Sequence, residues 1–277
     1  MEKKRLDLVM EERGLAHSRS LAQRLIMEGA VRVNGQVCLK AAQKVDAQDV
    51  IELAEPPRFV SRGGEKLLAA LEAFELTDLA GRICVDVGAS TGGFTDCLLQ
   101  HGAVKVYAID VGYGVLDWKL RNDARVVVME RTNARFVSEL PEEISLVTID
   151  ASFISLSTLL PVVKTWFRTG SGEVVALIKP QFEAGRAETA RGSGVIRDGQ
   201  VHRAVLLRVL DFAQECGFQV CDLIKSPLTG PKGNIEFLVH LRLPQADRMD
   251  PADLVERVLG SFLTALESEA EKDGQGI

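Results

Sequence analysis

Residues 83–102 read ICVDVGASTGGFTDCLLQHG. An apolar run carries an acid near its end, a glycine-rich turn follows, and an amphipathic stretch leads to a glycine stop. This is the pattern of a buried strand, a tight turn and a helix. The alternation continues down the chain. Strand patterns recur at VKVYAIDVG, RVVVMERTNAR, SLVTIDASFIS, GEVVALIKPQF, FQVCDLIKSP and NIEFLVHLRL. Helical patterns occur at LLAALEAF, LSTLLPVVKTWF and HRAVLLRVLDFAQECGF. Apolar strands of this kind need cover on both faces, and helices provide it. The pattern predicts an α/β fold, a doubly wound and mostly parallel sheet with ligands at the strand carboxyl ends.

Residues 1–55 follow another pattern. Leu6, Val9 and Met10 share one helical face, and Ser18 or Ser20 can cap a second helix bearing Leu21, Leu25 and Ile26. AVRVNGQVCLK then alternates about Asn34-Gly35, a strong hairpin signal. The reading is a small α+β domain. Its Arg5, Arg19, Arg24 and Arg32 form a phosphate-contacting surface or an ordinary solvated face, since acids nearly balance the bases. Pro56-Pro57 breaks the pattern, so residues 56–61 read as a linker and 62–245 as the second domain. Residues 246–277 read as an acidic helix and tail.

The formal net charge is −6. From Asp247 onward eight acidic residues face three basic ones, which leaves the remainder nearly neutral and able to carry a basic face. The five cysteines form no CxxC pair and read as reduced thiols. No metal site is expected. MEKKRLDLVM has no apolar export core and no window of 18 apolar residues occurs, so the expectation is a cytoplasmic protein that neither spans nor binds a membrane.

The turn has the form D-x-G-x-S-x-G-G, with Asp86, Gly88, Ala89, Ser90, Gly92 and Gly93. It lacks the GxGxxG spacing of a dinucleotide site and the lysine ending of a P-loop. S-adenosylmethionine fits better. Asp86 can organise the turn and receive an ammonium, and Gly88 and Gly92 let backbone approach the amino-acid end. Asp110, ending the second strand, can accept ribose hydroxyls. Thr132 or Asn133 can reach the adenine edge. Tyr113 and Trp118 read as packing residues, with a place at the border of the adenosine pocket as the alternative for Tyr113.

Ionisable residues also stand within or against apolar runs, where they are rarely buried unpartnered. Asp150 ends the fourth strand, Lys179 the fifth, and Glu236 opens the last. Lys66, in RGGEKL, lies on the helix leading into the first strand and could point into the same cleft. Phe153 and Phe182 could stack on a base, shape the cleft or sit in the core. The long segment PQFEAGRAETARGSGVIRDG, carrying Arg186, Arg191 and Arg197, reads as a substrate loop contacting phosphates or as a simple solvated loop.

RLDLVMEERGLAHSRSLAQRLIMEGAVRVNGQV resembles the S4 RNA-binding domain. Lys66, Asp150, Lys179 and Glu236, in that order, resemble the catalytic tetrad of ribose 2′-O-methyltransferases of the FtsJ/RrmJ type. With SRGGEKL, YAIDVGYGVLDWKLR, ERTNAR, DASFISL, IKPQFE and GPKGNIEFL, the chain resembles the TlyA family, also labelled haemolysin A. That family joins an S4 domain to an FtsJ-like domain. The resemblance implies a Rossmann-like methyltransferase sheet and S-adenosylmethionine as cofactor. It further implies ribosomal RNA or ribosomal subunits as partner, with methylation of a ribose 2′-hydroxyl, of cytidine by family habit. No obligate protein partner is evident. In this reading Lys179 takes the hydroxyl proton, the carboxylates orient the lysines, and Arg62 adds to the RNA contacts. The alternatives are a catalytically inactive RNA-binding protein and a membrane-active haemolysin. The second would need an apolar face or span that the sequence lacks.

Overall fold

A computed structural model describes residues 3–27, 30–53, 57–184 and 194–260, apart from the side chains of Arg24 and Pro231. The chain divides into two compact units, Met1–Arg58 and Phe59–Ile277.

The first unit contains β1 (Lys4–Arg5), α1 (Leu6–Glu12), α2 (Arg19–Met27), β2 (Val31–Val33), β3 (Gln36–Val37), β4 (Lys44–Val45) and β5 (Ile51–Leu53). β2 lies between β3 and β5, antiparallel to both. Asn34 and Gly35 both have positive φ, 52° and 80°, the two-residue turn that the Asn-Gly pair predicts. Leu6, Met10, Ala22, Ile26 and Val31 fill a small separate core.

The second unit runs α3 (Gly63–Ala73), β6 (Ile83–Val87), α4 (Gly93–Gln100), β7 (Lys105–Ile109), α5 (Trp118–Arg121), β8 (Val126–Met129), β9 (Leu146–Ile149), α6 (Leu156–Trp166), β10 (Gly172–Ile178), α7 (Pro180–Glu183), α8 (Gly199–Glu215), β11 (Gln219–Lys225) and β12 (Phe237–Leu243). The seven strands lie in the order β11-β12-β10-β9-β6-β7-β8. β10, β9, β6, β7 and β8 are parallel, and β12 inserts antiparallel between β10 and β11. Alternate residues serve the two faces, as period-two strands require. Val85, Val174 and Ala176 pack with α6 and α8, while Cys84, Val175 and Leu177 join the core under α3 and α4.

Residues 252–260 form a further helix, α9, whose Leu254, Val255 and Val258 belong to the first of these cores. The opening of the acidic segment therefore packs against the sheet, because its apolar residues recur on one face. Residues 261–277 lie outside the described residues. All five cysteines are free, with Cys38, Cys84 and Cys97 buried. Among the described residues no helix is long and apolar enough to cross a membrane.

Candidate active site

The strand order reverses between β6 and β9, which sends one chain connection to each side and opens a crevice at their carboxyl ends. Gly88 follows β6 at φ 85°. A Cβ at Gly88 would sit 2.7 Å from the Asp150 carbonyl oxygen, so only glycine lets the two strand ends meet this closely. The Gly88 amide donates to Ile109 at 2.8 Å and the Asp150 amide to Val87 at 2.9 Å. The backbone thus ties three strand ends together beneath the crevice.

Two lysine–carboxylate pairs stand at its rim. Lys179 Nζ lies 2.5 Å from Asp150 Oδ1 and donates to Ser152 Oγ at 3.0 Å. Lys66 Nζ donates to Glu236 Oε2 at 2.6 Å. Glu236 is fully buried, and both lysines are buried apart from a small exposed fraction. Each position has a local cause. Pro180 holds Lys179 extended, at φ −109° and ψ 99°, and then serves as the first residue of α7. Helix α3 begins at Gly63, so RGGEKL forms its first turn and directs Lys66 inward. The opening of β12 beside Ile178 at the end of β10 carries Glu236 to the same end of the sheet. Gly230 leaves room for it, since a Cβ there would lie 2.1 Å from Glu236 Oε1. Gln181 Nε2 donates to the same Oε1 at 3.3 Å. The four residues singled out in the sequence thus form two ion pairs, and Ser152 and Gln181, which sequence reading missed, complete their hydrogen bonds.

Beside them lies a cavity of about 470 Å³, lined by Gly88, Ser90, Asp110, Thr132, Asn133 and Asp150 among others. Asp110 is held by the amides of Ser90 at 2.8 Å and Gly112 at 2.6 Å. A smaller recess of about 120 Å³ is lined by Ser61, Gly63, Ala89, Ser90, Gly93 and Asp150 among others. Ser61 and Gly63 are lining residues that the sequence reading did not single out.

Two residues of the glycine turn are placed differently from the sequence reading. The Asp86 side chain points to the α4 face, fully buried, and accepts from Thr95 Oγ1 at 2.7 Å and Thr148 Oγ1 at 3.4 Å. It ties strand to helix and does not line the cavity. Burial pushes its carboxyl up to about 7, against the Thr95 hydrogen bond and with help from the Asp150 charge. At Gly92 a Cβ would meet Leu120 at 2.2 Å and Leu116 at 2.9 Å, so the room there serves protein packing. Gly92 also has φ 96° at the start of α4.

Tyr113 and Trp118 are not packing residues. They are 68% and 75% exposed, and the Arg131 guanidinium lies 4.0 Å over the Tyr113 ring. Phe153 is 88% exposed at φ 64°, and its ring centroid is 4.8 Å from that of Phe182. Arg62 and Arg197 are exposed. Arg186 and Arg191 lie outside the described residues.

In the first unit the buried Asp7 carboxylate collects two of the arginines assigned to phosphate contact. Arg5 donates both Nε and a terminal nitrogen to it at 2.9 Å, and Arg19 Nε donates at 3.0 Å. Gln23 adds a donor at 2.8 Å. Arg32 is exposed and donates to the Gly35 carbonyl at 3.1 Å. The Arg24 side chain lies outside the description.

Comparison with known proteins gives the same two-part division. The profile of FtsJ-like methyltransferases matches residues 59–243, and that of the S4 domain matches residues 4–51. "Putative rRNA methyltransferase YqxC" of Bacillus subtilis is 48% identical over 250 residues, covering 88% of this chain and 87% of that protein. The 16S/23S rRNA (cytidine-2′-O)-methyltransferase TlyA of Mycobacterium tuberculosis is 47% identical, covering 88% of this chain and 91% of that protein. A solved structure, "Putative hemolysin from Streptococcus thermophilus", superposes with a TM-score of 0.74 at 42% identity and covers 98% of this chain and 99% of its own.

Proposed function

The chain belongs to the FtsJ-like methyltransferase family, with an S4 domain ahead of the enzyme domain, and from that membership we propose that it methylates the 2′-hydroxyl of a ribose in ribosomal RNA. Cytidine is the target nucleotide in this reading, as named for the relative that shares 47% of the aligned residues. The observation that carries the reading is the pair of ion pairs, Lys179–Asp150 and Lys66–Glu236, at one end of the sheet beside a cavity.

The cavity suits S-adenosylmethionine. Its volume of about 470 Å³ lies in the range of small-molecule sites. Asp110 has its orientation fixed by two amides and keeps lone pairs for ribose hydroxyls. Gly88 and Ser90 line it as well, and Thr132 and Asn133, also lining it, are the residues for the adenine. Bound there, S-adenosylmethionine supplies an electrophilic methyl group. Everything else falls to the chain and the RNA.

A ribose hydroxyl is a weak nucleophile and gains from a group that orients it and takes its proton. Lys179 orients the hydroxyl, with Asp150 and Ser152 fixing its nitrogen, and it takes the hydroxyl proton after releasing one of its own ammonium protons to solvent. Lys66, held by Glu236, sets a positive charge in the cleft for the neighbouring phosphate. Two reactants held in this geometry gain much of their rate from positioning alone. The exposed arginines Arg32, Arg62 and Arg197 supply phosphate contacts, with Arg5 and Arg19 presenting the donors that Asp7 leaves available.

The test is mass-spectrometric mapping of 2′-O-methylation on ribosomal RNA and on both ribosomal subunits after incubation with protein and S-adenosylmethionine. A new 2′-O-methylcytidine supports the reading. Methylation on a base, or none on any substrate, contradicts it.

A further inference from the structure

Asp150 and Lys179 belong to different loops. Asp150 opens the segment between β9 and α6, and Lys179 opens the turn between β10 and α7. An ion pair 2.5 Å long needs both loops to keep a fixed relation. Neither loop is inherently rigid. The first contains Phe153 at φ 64°, an unfavourable backbone for an aromatic residue. The second leads into a helix of only four residues, too short to be stable alone.

Glu183 joins them. It is the last residue of α7, and its carboxylate reaches across to the start of α6. One oxygen accepts from Ser155 Oγ at 2.6 Å and the other from the Leu156 amide at 2.8 Å. Ser155 is the N-cap of α6, so Glu183 satisfies an amide that the helix leaves free and places its negative charge at the helix start. From the other side, an Arg208 terminal nitrogen of α8 donates to the Glu183 carbonyl oxygen. Helix α7 is therefore clasped at its end, while the Lys179 that precedes it carries the pair with Asp150. The Phe153–Phe182 contact lies between the two braces.

Resting on the reading of Lys179 and Asp150 as the reacting pair, we propose that Glu183 is a positioning residue for methyl transfer. It touches no reactant. It fixes the loop of Asp150 to the loop of Lys179, so that loss of the brace widens the distribution of Lys179–Asp150 geometries. Small misplacements of reacting groups cost rate more than affinity. The cofactor cavity draws its Asp110, Thr132 and Asn133 from other loops and only its Asp150–Ile154 wall from the braced one, so cofactor affinity changes far less than rate.

The experiment uses the full-length protein, ribosomal RNA and radiolabelled S-adenosylmethionine in single turnover, with cofactor affinity by calorimetry and unfolding temperature alongside. Glu183→Ala removes both acceptors. The expected loss of rate is about 10- to 100-fold, with cofactor affinity within about threefold of the parent protein. Glu183→Gln keeps an acceptor for Leu156, and its amide can donate to Ser155 Oγ, so the rate returns to within about threefold. Ser155→Gly, a mild change at an N-cap, removes one of the two bonds and gives an intermediate loss. Its combination with Glu183→Ala is less than additive. Asp78→Ala breaks a carboxylate-to-amide bond in a turn, to the Ala80 amide, outside the site and serves as the stability control. The proposal is overturned if Glu183→Ala transfers at the parent rate, if Glu183→Gln is as poor as Glu183→Ala, or if the loss tracks unfolding temperature equally at Asp78→Ala. Should Glu183→Ala fail to fold, Ser155→Gly and Glu183→Gln decide. Lys179→Ala separates the two ideas. If it too transfers at the parent rate, the site reading fails; if it is inactive while Glu183→Ala is not, only the brace fails.

Discussion

Glu236 receives the Lys66 ammonium at 2.6 Å across 170 residues of chain, at the buried end of β12. The pair is nearly closed to water, so each charge depends on the other. Desolvation makes such a pair a modest source of net stability but an expensive one to break. Glu236 is also tied to the turn that Lys179 begins, through Gln181, which donates to it.

Removing one partner should therefore reveal the pair. Glu236→Ala leaves the Lys66 charge buried without its acceptor and should lower unfolding stability by about 3 kcal/mol. Lys66→Met together with Glu236→Leu should recover most of that loss while methyl transfer stays low. Chemical denaturation of these two variants and the parent checks it. Equal stability of Glu236→Ala and the parent would show that the pair is not formed in solution.

Asp86 gives a pH signature. Its carboxyl, buried at the end of β6, is pushed up to about 7 in the folded protein, against an ordinary value near 4. The folded state thus binds a proton that the unfolded state has lost, and stability falls as pH rises between those values. The contribution is complete below the ordinary value and gone above about 7. Asp86→Asn keeps an acceptor for Thr95 and removes the charge. The unfolding temperature of Asp86→Asn relative to the parent should therefore rise from pH 4 to pH 8 and level off beyond. A difference independent of pH would mean that Asp86 titrates as an ordinary exposed acid.

Asp7 organises the arginines of the first unit. Asp7→Ala takes away the acceptor shared by Arg5, Arg19 and Gln23. RNA affinity should drop about tenfold, with a shallower dependence on salt because fewer phosphates are neutralised at once. Cofactor affinity should stay unchanged. Filter binding across a salt series, paired with calorimetry, measures both. Unchanged RNA binding would show that Arg5 and Arg19 act as structural residues only.

These particular residues mark what the sequence discloses and what it withholds. The strand–helix alternation is periodic and local, so the parallel sheet follows from it, and the Asn34-Gly35 turn follows from the Asn-Gly pair itself. Asp150, Lys179 and Glu236 are legible because charges within or against apolar runs need a reason, whereas Lys66 stands out only through the resemblance to the FtsJ-type tetrad. Which carboxylate takes which lysine is not legible. That depends on β12 folding back antiparallel beside β10, a contact between residues far apart in the chain. Gly92 looks like a ligand glycine, yet Leu116 and Leu120, more than twenty residues away, fill its space. Nothing in the sequence pattern singles out Asp7, and only the fold brings Arg19 and Gln23 to it. Glu183 follows Lys179 by four residues and carried a signal in that proximity, but its partners at 155 and 156 come from another loop.

The most direct test of the account is single-turnover methyl transfer to ribosomal RNA by Lys179→Ala, with cofactor affinity measured on the same protein. The interaction of Lys179 with the hydroxyl counts chiefly in the transition state, so its loss should appear in rate. The account predicts a fall of at least about 100-fold with cofactor affinity within about threefold, and the opposite for Asp110→Ala, which should weaken cofactor binding first. Transfer by Lys179→Ala at the parent rate would contradict the account, because the Lys179–Asp150 pair would then lie outside the chemistry.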